Sequence, residues 1–385
     1  MMATAVSTLV MASPDALRIE WDDGTIGEFA SVWLRDNLPE DRDAHSGQRL
    51  SDVTALPDEP LIRTATVADT GVRIAWDNEP RVSTFALDWL YEHTGPRDRR
   101  AQPQVRRWLE GARVSSKRDF LWRPMEALSA DRPSRLEWLT RLLQDGVAFM
   151  SAVDPVEAGI LDAMALVGRI AETNYGPVFD VRAVPEPENL AYSDRGLGLH
   201  TDNPYREPVP GFQALHTLIA SPDGGESVFA DGFALAEHLR HCAPEAFAIL
   251  TRTAVPFRYR SRQADLYAER PLIQLDCSGA IAAVHYNSRS MAPLRLPARE
   301  CRSFYAAYRQ FGELLRESRF QVKLLLENGE VVVFDNQRIL HGRTAFASSK
   351  YPRHLRGCYL TRDSVYSEAA LLRRQTNPGD NDDGE

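Results

Sequence analysis

Cysteine is scarce in this sequence, and long apolar runs are missing. Its 385 residues include four cysteines, Cys242, Cys277, Cys301 and Cys358, and no CxxC pair. That spacing argues against a disulfide scaffold and a cysteine-rich zinc site, and it fits a reducing cytoplasm. Apolar runs such as 146–153 are far too short to span a bilayer. Residues 1–12 are mildly apolar but lack a basic n-region, so no signal peptide and no membrane partner are expected. Neither GxGxxG nor GxxxxGK[ST] occurs, which leaves a nucleotide-binding fold without support. Basic residues number 45 against 54 acidic, a net charge of −9. A surface of that sign disfavours nucleic acid as a general partner. What remains is ordinary globular composition, enough for one large domain or two ordinary ones.

An internal echo organises the first part of the chain. Leu17-Arg18-Ile19-Glu20-Trp21-Asp22-Asp23 is matched by Val72-Arg73-Ile74-Ala75-Trp76-Asp77-Asn78. Both runs alternate apolar and polar residues and end in turn formers, as half-buried strands entering hairpins do. Each is followed by a similar short segment, Ser31-Val32-Trp33-Leu34-Arg35-Asp36 and Ala86-Leu87-Asp88-Trp89-Leu90-Tyr91. These features predict a small β-rich domain over 1–95. Residues 96–119 follow as a basic, solvated linker, with a nucleic-acid arm as the alternative. Residues 120–375 read as mixed α/β, mainly β, and the polar tail 376–385 as mobile. Amphipathic helices are predicted at 134–143, 155–173, 233–252 and 297–317. Short strands are predicted at 146–152, 190–192, 211–219, 272–275, 281–286, 321–326, 331–335 and 355–360. Many short strands with isolated helices suit a sandwich or jelly roll with helices packed outside.

The chemistry concentrates in His200-Thr201-Asp202. On an extended segment residues i and i+2 share a face, so two potential metal ligands project together. His341 is the best third ligand, delivered by the apolar run that begins at Val331. Two histidines and one carboxylate leave coordination positions open, as in the facial triad of non-haem Fe(II) oxygenases. Arg353 lies twelve positions after His341, where a guanidinium can clamp a carboxylate with two parallel hydrogen bonds. Each residue alone also reads as an ordinary buried core group.

Several runs together resemble the taurine dioxygenase superfamily, and within it the γ-butyrobetaine hydroxylases. They are Gly198-Leu199-His200-Thr201-Asp202-Asn203-Pro204, Gly211-Phe212-Gln213-Ala214-Leu215-His216, Gly224-Gly225-Glu226-Ser227, Phe334-Asp335-Asn336, Leu340-His341-Gly342-Arg343 and Arg353-His354-Leu355. Trp33-Leu34-Arg35-Asp36-Asn37 extends the likeness into the N-terminal domain. The resemblance implies a double-stranded β-helix with Fe(II) on His200, Asp202 and His341. It implies 2-oxoglutarate and O2 as cosubstrates, with Arg353 and Ser227 on the distal carboxylate and ascorbate as an activator in vitro. It also implies a role for the N-terminal domain in closing the site or a homodimer. The γ-butyrobetaine hydroxylases commonly hold a structural zinc on three Cys and one His. Leu38, Glu40, Asp43 and Pro80 stand at those positions here, so no structural zinc is expected, and His45 reads as a surface histidine.

For the substrate, the resemblance implies an aromatic cage of Tyr175, Phe179, Tyr192 and Tyr359. A trimethylammonium group has no N–H, and aromatic faces are what recognise it. Asn189 and Asn287 match the family's substrate-carboxylate contacts. Ser288 and Arg289 beside Asn287 add donors that suit a phosphonate. The reading therefore leans to 2-(trimethylammonio)ethylphosphonate, hydroxylated at the carbon bearing phosphorus, over γ-butyrobetaine hydroxylated to carnitine. A catalytically inactive β-helix acting as a binding protein, and a zinc hydrolase, remain as alternatives.

Overall fold

The computed structural model describes residues 6–56, 58–68, 71–77, 79–94, 104–108, 120–182, 194–346 and 353–376. The chain divides into two compact units, 1–102 with 379–385, and 103–378.

The sequence echo becomes a structural repeat in the smaller unit. Strands Val6–Ser13, Ala16–Trp21 and Ile26–Ala30 form one antiparallel sheet, followed by helix Ser31–Asp36. Strands Ile62–Ala68, Gly71–Trp76 and Val82–Phe85 form the other, followed by helix Leu87–Glu92. Alternation sends Leu17, Ile19 and Trp21 of one copy, and Val72, Ile74 and Trp76 of the other, into a shared core. The matched Trp33 and Trp89 stack with ring centroids 5.3 Å apart. Leu38 is a core residue here. The segment after it is tied to 79–81 by a ring of charges. Arg35 bonds Asp41 at 2.7 Å and Glu79 at 2.6 Å, and Arg81 bonds the same two at 2.9 and 3.0 Å. His45 is exposed.

The larger unit faces two sheets together. The seven-stranded sheet runs in the order Phe179–Arg182, His354–Leu360, Phe212–Ile219, Val331–Asp335, Val147–Ser151 and Trp122–Pro124, with Ile170–Ala171 paired to His354–Leu360 off that path. The four-stranded sheet runs Leu197–His200, Ile339–Arg343, Ser227–Asp231 and Val322–Leu324. Val332 and Phe334 pack inward against Phe229 and Ile339 of the second sheet. Val331 and Val333 pack outward with Trp138, Leu139 and Leu142 of helix Arg132–Asp145. Burial on both faces explains the unbroken apolar run at 331–334. Helix Arg132–Asp145 starts where Asp131 accepts the Ser134 N–H at 2.9 Å, and it ends at Gly146, in the left-handed region at φ 77°.

Two sequence expectations change, and one element is new. The helix expected over 155–173 is confined to Gly159–Met164. Tertiary pairing takes the rest, because the Arg169 N–H donates to Ser364 Oγ and Ile170–Ala171 joins the sheet. The helix expected over 233–252 is two, Gly232–Cys242 and Pro244–Arg252, since a proline cannot continue a helix but starts one well. A hairpin of Val255–Arg260 and Asp265–Arg270 was not anticipated. The strand expected at 190–192, the tail beyond 376, and residues 96–103 and 109–119 of the basic segment lie outside the described residues. Residues 104–108 belong to the larger unit. Arg338, 1% exposed, pairs with Asp231 at 2.7 Å and donates to the carbonyls of Gln144 and Arg106. The Trp108 N–H donates to the same Asp231.

The charge ring makes a prediction for the smaller unit. Burial opposes ionisation of Asp41, but hydrogen bonds from Arg81, Ser51 and Arg35 outweigh it and hold the carboxyl below its usual range. Its stabilisation is complete above the unfolded value, about 3.9, and is lost as pH falls through the lower folded value. Tryptophan fluorescence melts between pH 5 and 2 should show Asp41→Asn with a shallower acid loss of Tm than the wild type. Parallel curves would refute the ring's contribution.

Candidate active site

Strand register brings the two histidines together. His200 ends Leu197–His200, and its direct antiparallel partner is His341 in Ile339–Arg343. Directly opposed residues of such a pair project to the same face a few ångströms apart, and the imidazole centroids lie 4.3 Å apart. His341 is therefore mid-strand. The apolar strand expected to deliver it ends at Asp335, and a turn intervenes.

Asp202 is set by clamps on its backbone. The Asn336 side chain accepts the Asp202 N–H at 2.8 Å and donates to the Asp202 carbonyl at 3.0 Å. The Asn287 amide donates to the Thr201 carbonyl at 2.9 Å. The carboxylate then reaches both histidines, with Oδ1 3.1 Å from His200 Nε2 and Oδ2 3.7 Å from His341 Nε2. The Tyr359 hydroxyl donates to Oδ2 at 2.9 Å. Ligand atoms of all three residues lie within 4.8 Å of one another.

The electrostatics fit a cation. Burial works against ionisation of Asp202, yet His341, His200 and the Tyr359 hydroxyl hold its carboxyl well below the usual range. Burial, reinforced by His200, pushes His341 down to about 3, so its imidazole is neutral and available as a ligand. His200 Nδ1 lies 2.9 Å from the Gly198 carbonyl, which directs the proton there and leaves Nε2 for a metal. Burial, followed by the charge of Asp202, pushes the Tyr359 phenol well above its ordinary value, so it stays a donor.

A cavity of about 100 Å³ opens over the triad. Tyr175, Phe179 and Tyr359 line it, with ring centroids 6.3 Å apart for Tyr175–Phe179 and 5.1 Å for Phe179–Tyr359. Ser227 and Arg353 line it too, both buried. Burial first, then the neighbouring Arg343, pushes Arg353 down to about 10. Among the described residues no carboxylate pairs with it. Gly225 makes room for this guanidinium: a Cβ there would fall 2.9 Å from Arg353 Nε. A metal-chelating dicarboxylate meets both needs, open positions on the triad and a buried cation with no counter-ion among the described residues.

Arg289 also lines the cavity, but Asn287 and Ser288 do not. Both line an adjoining cleft that shares His200 and Arg289 with the cavity. Both groups of the Asn287 amide are used by backbone, its oxygen accepting from the N–H groups of Arg289 and Ser290. Ser288 lines a neighbouring cleft with Tyr286 and Arg316. Tyr192 and Asn189 lie outside the described residues. Sequence reasoning missed Arg343, Asn203 and Gln213 as lining residues and Asn336 as a clamp. Arg343 was within reach, being i+2 from His341 on one strand.

A family model described as taurine catabolism dioxygenase TauD, TfdA family matches residues 123–359, and one described as γ-butyrobetaine hydroxylase-like, N-terminal, matches 10–91. A γ-butyrobetaine dioxygenase from Pseudomonas sp. (strain AK-1) is 34% identical over 96% of this chain and 97% of that protein. The γ-butyrobetaine dioxygenase of Homo sapiens is 28% identical over 94% and 96%. Among solved structures, asparagine oxygenase in complex with Fe(II), 2S,3S-3-hydroxyasparagine and succinate aligns with a TM-score of 0.47 at 19% identity, covering 62% of this chain and 83% of that one.

The clamp is testable apart from turnover. Asn336→Ala should weaken Co(II) binding to the metal-free protein by about 10–100-fold in calorimetric titration, the usual cost of losing a group that orients a ligand. Wild-type affinity in the variant would show that Asp202 needs no such support.

Proposed function

The chain belongs to the TauD, TfdA dioxygenase family, and we propose that it hydroxylates a small trimethylammonium zwitterion, γ-butyrobetaine, using Fe(II) and 2-oxoglutarate. One observation carries this reading: three aromatic rings line the cavity that holds the triad, with a buried arginine that has no carboxylate partner among the described residues. When bound, Fe(II) and 2-oxoglutarate couple decarboxylation of the cosubstrate to succinate with hydroxylation of a C–H bond by O2.

The residues divide the remaining work. His200, Asp202 and His341 would hold the metal, as a facial triad does. Arg353, with Ser227 nearby on the cavity wall, takes the distal carboxylate of 2-oxoglutarate. Tyr175, Phe179 and Tyr359 receive the quaternary ammonium, which aromatic faces attract by about 0.5–2 kcal/mol each. Tyr359 serves twice, because the same side chain fixes Asp202 Oδ2. A cation held there would orient the neighbouring C–H bonds toward the triad, which is the positioning such chemistry needs. Arg289 supplies the donor for the substrate's anionic end.

The phosphonate reading rests on the missing zinc ligands and on the donors Ser288 and Arg289 beside Asn287. Of these donors Arg289 lines the cavity, while Ser288 lines the adjoining cleft. One arginine suits a carboxylate, and the bacterial γ-butyrobetaine dioxygenase relative points the same way. The phosphonate stays as the second reading, on Arg289 and the missing zinc ligands.

Purified protein with Fe(II), ascorbate and 2-oxoglutarate should release succinate faster with γ-butyrobetaine than with its primary-amine analogue. A parallel reaction with 2-(trimethylammonio)ethylphosphonate chooses the anion. Equal response to methylated and unmethylated compounds would sink the cage. Arg353→Met should raise the KM for 2-oxoglutarate on the order of a hundredfold, as loss of one partner of a buried charge pair does. An unchanged KM would remove Arg353 from the cosubstrate site.

A further inference from the structure

The geometry points to Gly357 as a specificity-determining residue, whose missing side chain is the seat of the Phe179 ring in the cation-binding wall. The inference rests on the trimethylammonium reading above and names what sets the shape of that site.

Gly357 lies in the middle of strand His354–Leu360, where glycine ordinarily weakens a sheet. It is not among the glycines with positive φ, so the backbone does not demand it. Space does. Its direct cross-strand partner is Phe179 on the edge strand Phe179–Arg182. A Cβ at 357 would fall 2.5 Å from Phe179 Cε2 and 2.6 Å from Cζ. An aromatic ring laid across a facing glycine is a known way to cover the exposed backbone. Here the covering ring is also a wall of the substrate cavity.

The neighbours decide where the ring would go. On the other side, Leu215 is the cross-strand partner of Gly357, and its Cδ2 would lie 3.1 Å from the added Cβ. Both Leu215 and Phe179 line the cavity. A methyl group at 357 therefore lifts the Phe179 ring off the strand. Tyr359, two residues along on the same face, does not follow, because its hydroxyl is held by Asp202 at 2.9 Å. The present spacing of 5.1 Å between the two rings is lost, and with it the joint face offered to a cation.

The test is a double-mutant cycle of Gly357→Ala and Phe179→Ala, read by succinate release and by thermal melting. Gly357→Ala should raise the KM for γ-butyrobetaine about tenfold, the size of one lost cation–aromatic contact, with a much smaller change in the KM for 2-oxoglutarate. Phe179→Ala and the double variant should share one KM, because the added methyl then has no ring to displace. Wild-type KM in Gly357→Ala, or a lowered Tm with both KM values unmoved, overturns the proposal by making the glycine a matter of sheet packing alone. A double variant clearly worse than Phe179→Ala overturns it as well, and this comparison holds even if Gly357→Ala folds poorly. Failure of the wild type to respond to any trimethylammonium compound overturns the substrate reading and this role together. A response that Gly357→Ala leaves intact overturns only the seat.

Discussion

Two imidazoles and a carboxylate are held against one another between two β-sheets, and the rest of the site depends on that contact. The His200–His341 pairing is a register of the antiparallel ladder and not a local motif. A slip of one residue would turn either histidine to the opposite face. Asp202 needs separate fixing because it lies beyond the strand end, and Asn336 provides it through the backbone. Burying these groups is costly without a cation among them. The site is therefore arranged for a metal before any ligand is considered.

Strand His354–Leu360 acts as a ruler for everything the metal must work with. Arg353 immediately precedes it, Gly357 lies at its middle and Tyr359 is near its end. The strand lies between Phe179–Arg182 and Phe212–Ile219 in the larger sheet, so the cavity walls on either side are held in fixed register to it. Charge separates along the same line. Arg353 stands at one end, while Tyr359 at the other joins the aromatic wall to the metal carboxylate through one hydrogen bond.

Much of this was legible in the chain, and the exceptions have causes. The pair His200 and Asp202 and the N-terminal echo rest on short-range rules: i and i+2 on an extended segment, and alternation in half-buried strands. His341 and Arg353 rest on residue type and on the resemblance. The aromatic residues were found by resemblance and not by periodicity. The residue type of Asn287 suits a ligand contact and a backbone clamp equally well, and only the structure shows both of its polar groups bonded to backbone. The helix at 155–173 was overextended because apolar spacing continued past Met164, while Ser364 and strand His354–Leu360 captured the following residues.

The sequence by itself determined the chemistry on offer: which side chains can ligate, which can clamp a carboxylate, and where alternation must bury one face. Those follow from residue type and spacing within a few positions. Tertiary structure alone decided that His341 faces His200, that Asn336 grips Asp202, that Arg289 lines the cavity, and that Gly357 is vacant for Phe179. Each of these joins residues distant in the chain or turns on side-chain direction. Register and packing set both, and local sequence does not record them.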